Sequence, residues 1–373
     1  LAVGQHTRAL LLGLGFVPGA IVLAGCAQRQ RPIFEERYPA LVWPAPPAPP
    51  KIRYVGELTS EADLKPARKP LAAIGEFFVG AEEPEPLYGP RSAVCTPDGQ
   101  RVWIADPGGR CLHLFDLRTR SYKRIRSLND AQLLSPVDVC LGPEDSVYVC
   151  DSEFVAIHRI AADSGAWLET LRIPEEVLRP AAIDYDPAAD ELYVVDSSAH
   201  DVKVLSRAGS LRRIVGHRGS APGEFNFPCD IVGDGDMIWV VDAGNHRVQG
   251  LTRAGRPVIA FGQAGDAPGD LALPKGVALD SQGHIYVVDA RFENIQTFDR
   301  SGRLLLAFGQ EGTEPGEFWL PASIFIDARD RIWVCDTYNG RVQVFDYLKD
   351  ELAPDGEELP AETQPAATRG GRG

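Results

Sequence analysis

The sequence predicts an all-β protein, a six-bladed β-propeller of four-stranded antiparallel blades whose ring is closed by an N-terminal strand. Three observations predict it. A short apolar run ending in aspartate recurs six times, closing on Asp106, Asp151, Asp196, Asp242, Asp289 and Asp336, with spacings of 45, 45, 46, 47 and 47 residues. Each unit divides into four strand-sized pieces separated by turn residues. The last unit lacks its fourth piece, and an alternating segment of suitable length, Ile52–Leu58, precedes the first unit.

The four pieces are clearest in the fifth unit, at 276–280, 285–289, 295–299 and 304–309, with Ser281-Gln282-Gly283 and Arg300-Ser301-Gly302 as turns. An isolated four-stranded sheet cannot bury both faces, whereas six sheets around an axis cover one another. That accounts for the nearly continuous apolar character of the first two strands and the more polar outer strands, such as 212–216. After Val344-Phe345-Asp346 the chain passes into a stretch rich in Glu, Pro, Ala and Gly, so the fourth strand of the last blade must come from Ile52–Leu58. Residues 59–88 form a lead-in with a short amphipathic helix expected over 70–80. The propeller is thus expected over residues 51–347, followed by a disordered tail over 348–373.

The N-terminus reads as an export signal over residues 1–25: Arg8 is followed by 17 uncharged, mostly apolar residues from Ala9 to Gly25. That run falls short of the ~20 residues a stable membrane span needs. Leu23-Ala24-Gly25-Cys26 resembles the lipobox of bacterial lipoproteins, which implies lipidation of Cys26 and cleavage before it. The other reading is an ordinary secretory signal with a coincidental cysteine. Ala27 after the cysteine resembles the signal for export to the outer membrane. Residues 26–50 then form a linker, with six prolines among the twelve residues 39–50, expected as an extended spacer between anchor and body.

Two segments carry a family resemblance. Asp242-Ala243-Gly244-Asn245-His246-Arg247-Val248-Gln249 resembles the NHL signature almost whole, and Asp336-Thr337-Tyr338-Asn339-Gly340-Arg341-Val342-Gln343 resembles it with Gly340 in the histidine position. The junctions Gly223-Glu224-Phe225 before Pro228, Gly269-Asp270-Leu271 before Pro274 and Gly316-Glu317-Phe318 before Pro321 repeat another family feature. The chain is similar to NHL-propeller lipoproteins of bacteria over residues 51–347, more weakly in blades one to three. Some of these accompany multihaem cytochromes, which implies an electron-transfer assembly as a partner class.

Each repeated aspartate ends a second strand, where its carboxylate is expected to bond turn amides. Arg247 and Arg341 are expected to pair with such carboxylates, and His246 to pack in its turn. Propellers bind ligands at the axial mouth. The innermost positions are read as Ala93, Asp138, Ala182, Asp230, Gly276 and Ser323. Asp138 and Asp230 stand out because a carboxylate there needs water, a cation or a donor. Arg91 and Lys275 are placed to neutralise them, and a divalent cation is the other candidate occupant.

The rival reading is a metal-dependent propeller enzyme of the amidating-lyase or lactonase type acting in the central channel. None of the seven histidines is expected on an inner strand; His113 and His158 share a third-strand position suited to a surface or packing role. Two aspartates alone are too few for a calcium site. Besides Cys26 there are Cys95, Cys111, Cys140, Cys150, Cys229 and Cys335. Their spacing fits neither a zinc pair nor covalent haem attachment; disulfides, with Cys140 and Cys150 nearest, and buried thiols both stay open. A net charge of -14 disfavours nucleic acid. The sequence therefore points to a lipid-anchored, non-enzymatic binding module using a propeller face on a protein partner in the bacterial cell envelope.

Overall fold

Six antiparallel sheets follow one another along the chain, each beginning its inner strand at or just after a proline: Pro90, Pro136, Pro180, Pro228, Pro274 and Pro321. The computed structural model describes residues 32–34, 41–64 and 84–349. The expected signal, Cys26, the helix over 70–80 and all but two residues of the tail lie outside them. Proline suits the first position of a strand because it has no N–H to leave unpaired there.

Blade 1 comprises Ser92–Cys95, Arg101–Asp106, Cys111–Asp116 and Ser121–Ile125, and blade 2 Pro136–Gly142, Ser146–Asp151, Ala156–Ala161 and Trp167–Leu171. Blade 3 comprises Pro180–Asp186, Glu191–Asp196, Asp201–Ser206 and Leu211–Val215, and blade 4 Pro228–Gly233, Met237–Asp242, Arg247–Thr252 and Pro257–Phe261. Blade 5 is Pro274–Leu279, Ile285–Asp289, Asn294–Phe298 and Leu304–Phe308. Blade 6 joins Pro321–Ile326, Arg331–Asp336 and Arg341–Tyr347 to Ile52–Leu58, which pairs with the third strand from Ile52 opposite Tyr347 to Leu58 opposite Val342. The N-terminal strand closes the ring as expected.

Six apolar clusters hold the blades together, each straddling two neighbours; Tyr193 and Val195 of blade 3, for example, pack with Ile238 and Val240 of blade 4. One aromatic per second strand (Trp103, Tyr148, Tyr193, Trp239, Tyr286 and Trp333) is buried between blades. The outer strands alternate between solvent and core because they have no outer neighbour; Leu211–Val215 and Leu304–Phe308 bury every second residue more deeply.

The proline-rich segment departs from the expected spacer. Val42–Trp43 adds a fifth strand to blade 6, antiparallel to Ile52–Leu58, and the Trp43 ring lies 5.7 Å from Phe308 and 5.9 Å from Phe345. An apolar Leu41-Val42-Trp43 stretch beside an open sheet edge gains more by pairing and burial than by standing in solvent. In the lead-in, Glu61–Leu64 forms a 3-10 turn that buries Leu64.

Candidate functional site

Both the loops entering each blade and the turns between second and third strands open on one face of the ring, termed here the upper face. Each repeated aspartate sits beneath that face with no exposed surface. Its carboxylate accepts from the amide of the loop entering its own blade: Tyr88 N to Asp106 at 2.7 Å, Leu134 N to Asp151 at 2.8 Å and Leu178 N to Asp196 at 2.6 Å. Asn226 N to Asp242, Ala272 N to Asp289 and Trp319 N to Asp336 complete the set at 2.6, 2.6 and 2.7 Å. In blades 1, 2, 3 and 5 the same carboxylate also takes an amide from the following turn, such as Phe154 N at 3.2 Å from Asp151. One buried carboxylate thus clasps the loops that build the upper face.

The third strand completes the clasp. Arg247 Nε donates to Asp242 at 2.8 Å and Arg341 Nε to Asp336 at 2.7 Å. Two residues farther on, Gln249 and Gln343 donate to the same carboxylates at 3.2 and 3.1 Å and also reach the carbonyls of Glu224 and Glu317. The equivalent position holds His113, His158, Lys203 and Gln296 in the other blades. His113 and His158 are buried, the packing role of the two expected: His113 lies 3.2 Å from Asp106, whereas His158 bonds the Thr170 hydroxyl at 2.8 Å. His246 packs as expected: its backbone is left-handed, with φ of 55°, and Nδ1 lies 2.9 Å from the Ala272 carbonyl. Gly340 has the same handedness, which explains why glycine replaces histidine there.

At the axis, the register corrects one expectation. Ser92 pairs with Ala105 as Asp138 pairs with Cys150, so the ring of innermost residues is Ser92, Asp138, Ala182, Asp230, Gly276 and Ser323; Ala93 is one residue removed. Ser92, Asp138, Asp230 and Ser323 form a waist shared by two vestibules, a cavity of about 400 Å³ above and one of about 520 Å³ below. Inner strands are sheet edges, and their amides need partners from outside the sheet. Asp138 accepts from Ile183 N of the next blade at 2.7 Å, Asp184 from Gly233 N at 2.7 Å, and Asp230 from Val277 N at 2.8 Å. Ser92 Oγ does the same for Val139 N at 3.3 Å. A run of inner strands from blade 1 to blade 5 is stitched together this way.

Asp138 and Asp230 are thus paired with backbone, and neither Arg91 nor Lys275 comes within 4 Å of a carboxylate among the described residues. Both cations line the upper vestibule, and the charge on Arg91 holds both carboxyls lower than burial alone would. Burial pushes Asp138 and Asp230 above the usual carboxylate range, and for Asp230 the charge on Asp138 adds to the effect. Among the described residues one group brings three donors suited to a metal within 4.8 Å of one another: Asp106, Cys111 and His113. Asp138 and Asp230 do not belong to it. The six cysteines of the described region are free thiols, five buried and Cys229 partly exposed, so Cys140 and Cys150 form no disulfide.

Asp184 offers a test of the inner wall. Burial raises its carboxyl to about 7 from an ordinary 3.8. Because the folded value lies above the unfolded one, the native state holds the extra proton between pH 4 and 7, and stability falls as pH rises through that window. Asp184→Asn keeps an acceptor for Gly233 N and removes the ionisation. It is expected to raise stability at pH 8 by about 1–3 kcal/mol, part of the full linkage value because the side chain is partly open to the vestibule, and to change little at pH 4. Thermal unfolding at the two pH values measures it; an equal change at both would contradict it.

The upper face also gathers exposed apolar side chains. Tyr88, Leu178, Phe227 and Trp319 stand in loops entering blades, and Phe154 and Tyr338 in turns after second strands; all six are 47–64% exposed. The other large exposed apolar residues among those described, Trp167, Leu168, Ile214, Val258 and Leu305, lie on outer strands, and none lies on the lower face. Trp319 and Tyr338 pack against each other with ring centroids 5.8 Å apart and their planes tilted by 44°. Four of the six, Tyr88, Phe154, Leu178 and Trp319, are held by the clasp through their own amides. Tyr88, Leu178 and Trp319 share one repeat position, 17 or 18 residues before their aspartate, but the other blades hold Leu134, Asn226 and Ala272 there, so the rim shows only in the closed ring.

Comparison with known proteins follows the same lines. Residues 126–317, just over half of the chain, match the family described as the teneurin NHL domain, and residues 318–345 match the NHL repeat. No curated protein shows significant similarity to the chain. Among solved structures, a protein of unknown function from Bacteroides thetaiotaomicron is 15% identical, with a TM-score of 0.57 and 70% of each chain covered. An auxiliary nutrient binding protein from the same organism is 14% identical, with a TM-score of 0.53, covering 70% of this chain and 69% of its own. Virginiamycin B lyase from Staphylococcus aureus, in a catalytically inactive form with quinupristin, is 14% identical, with a TM-score of 0.52, covering 70% of this chain and 95% of its own. At these identities the likeness is one of fold.

Proposed function

The chain belongs to the NHL-repeat β-propeller family, and from that premise we propose that it is a lipid-anchored, non-enzymatic binding module whose upper face docks a protein partner in the bacterial cell envelope. The observation that carries the reading is the clasped rim of exposed apolar side chains around the upper vestibule. Aromatic residues are the favoured anchors of protein interfaces, and an apolar rim held on rigid backbone loses little entropy on docking. Arg91 and Lys275 inside the rim add positive charge to a molecule that is acidic overall, which favours a partner segment carrying carboxylates. Cys26 is the proposed lipidation site, with the outer membrane as destination, and an electron-transfer assembly is the partner class to test first.

The test is co-purification of the native protein from detergent-solubilised membranes. A partner recovered in constant proportion is expected, with Cys26→Ser releasing the complex from the membrane fraction. Recovery of the protein only as an isolated monomer would overturn the reading.

A further inference from the structure

Positions five and seven after the repeated aspartate point the same way from the third strand, because alternate strand residues share a face. In blades 4 and 6 they are Arg247 with Gln249 and Arg341 with Gln343, and both pairs direct nitrogen donors at the buried carboxylate. Blade 1 has Cys111 and His113 there instead. His113 Nε2 lies 3.2 Å from Asp106 Oδ2 and 3.3 Å from Cys111 Sγ, and none of the three residues has exposed surface. One ring nitrogen thus faces a carboxylate and a thiol at once, with at most one proton to share. On the other side of the ring, Nδ1 lies 2.7 Å from the Tyr122 hydroxyl, the sort of outer contact that orients a metal-bound imidazole.

We propose that Asp106, Cys111 and His113 bind one zinc ion. Zinc bonds of about 2.0 Å to nitrogen or oxygen and 2.3 Å to sulfur, set tetrahedrally, place neighbouring ligand atoms roughly 3.3–3.7 Å apart. The two separations above are close to that range. The mixed sulfur, nitrogen and oxygen set suits zinc and not calcium or magnesium, which take oxygen ligands. Charge agrees as well: Cys111 releases its proton on binding, a thiolate plus a carboxylate neutralise the dication, and a water taken up with the ion would fill the fourth tetrahedral position. The ion does for blade 1 what the Arg341 guanidinium does for blade 6, joining second and third strands at the aspartate. Because Asp106 also accepts from the Tyr88 and Gly89 amides, zinc would fix the loop that presents Tyr88 on the upper face.

The full chain purified without chelator is expected to carry one zinc by elemental analysis. After zinc is removed, Co²⁺ is expected to give the visible bands of a tetrahedral centre and a near-ultraviolet thiolate charge-transfer band, which Cys111→Ser abolishes. His113→Gln installs the residue that blades 4 and 6 use at this position, so the ring should survive while metal affinity falls roughly tenfold or more. Failure of the wild-type chain to bind either Zn²⁺ or Co²⁺ overturns the proposal. So does a wild-type Co²⁺ spectrum in both variants, since the metal would then sit elsewhere. Neither outcome depends on whether a partner docks on the upper face.

Discussion

Asp336→Ala is expected to destabilise the protein by about 3–5 kcal/mol, because it removes the buried carboxylate on which four donors converge. Trp319 N, Asn339 Nδ2, Arg341 Nε and Gln343 Nε2 all converge on Asp336, at 2.7, 2.9, 2.7 and 3.1 Å. The residue has no exposed surface, so water cannot reach in to replace it without opening the loop. Arg341 would keep its contact with Glu57 at 3.1 Å but lose its buried partner. For a ring of this size the midpoint of thermal unfolding should fall by roughly 5–8 °C. Asp336→Asn, which keeps one acceptor, should fall between the two. A midpoint within about 2 °C of wild type for the alanine variant would show that the clasp is not a main support of blade 6.

Leu58→Asp is expected to be more damaging still, by ~5 kcal/mol or more, since it buries a carboxylate with no partner where blades 6 and 1 meet. Leu58 has no exposed surface, pairs with Val342 and packs among Val55, Val102 and Trp333. If the closing strand leaves, Arg341–Tyr347 becomes a long unpaired edge on the outside of the ring. The variant should accumulate as aggregate, with little monomer in size-exclusion chromatography with light scattering. Leu58→Ala, which creates a cavity without a charge, should remain folded at a cost of about 2–5 kcal/mol. A soluble Leu58→Asp monomer with the wild-type unfolding midpoint would mean that Ile52–Leu58 does not hold the ring shut.

These two positions also show what was legible in the sequence. Asp336 was visible because it closes an apolar run six times over, and that repetition is what a buried carboxylate with a fixed geometric duty leaves behind. The closing strand was visible as a shortage, one outer strand too few at the end and one alternating segment to spare at the start. The register of blade 1 was not, since Arg91-Ser92-Ala93-Val94 offers two small residues before its valine; alignment on the six prolines would have chosen Ser92. The use of Asp138 and Asp230 was hidden for a different reason. An anomalous polar residue on an inner strand looks like a ligand when its blade is considered alone, and its partner is an amide about 45 residues away on the next blade. Likewise His113 and His158 gave a repeat position without a duty until Gln249 and Gln343 showed what that position does. Trp43 was masked by the prolines around it, whose composition suggested a spacer and concealed the short apolar stretch that pairs.

The clasped apolar rim of the upper face is the proposed docking surface. It is tested most directly by comparing two double variants in partner capture from solubilised membranes. Trp319→Ala with Tyr338→Ala removes a pair of rings in contact from the rim, whereas Val258→Ser with Leu305→Ser removes apolar side chains of comparable exposure from the outer wall. The rim variant should lose the partner by roughly 30-fold or more in affinity, as truncation of two interface anchors implies, with its unfolding midpoint unchanged. The outer-wall variant should capture as the wild type does. Equal capture by both variants, or loss confined to the outer-wall variant, would contradict the assignment of the upper face.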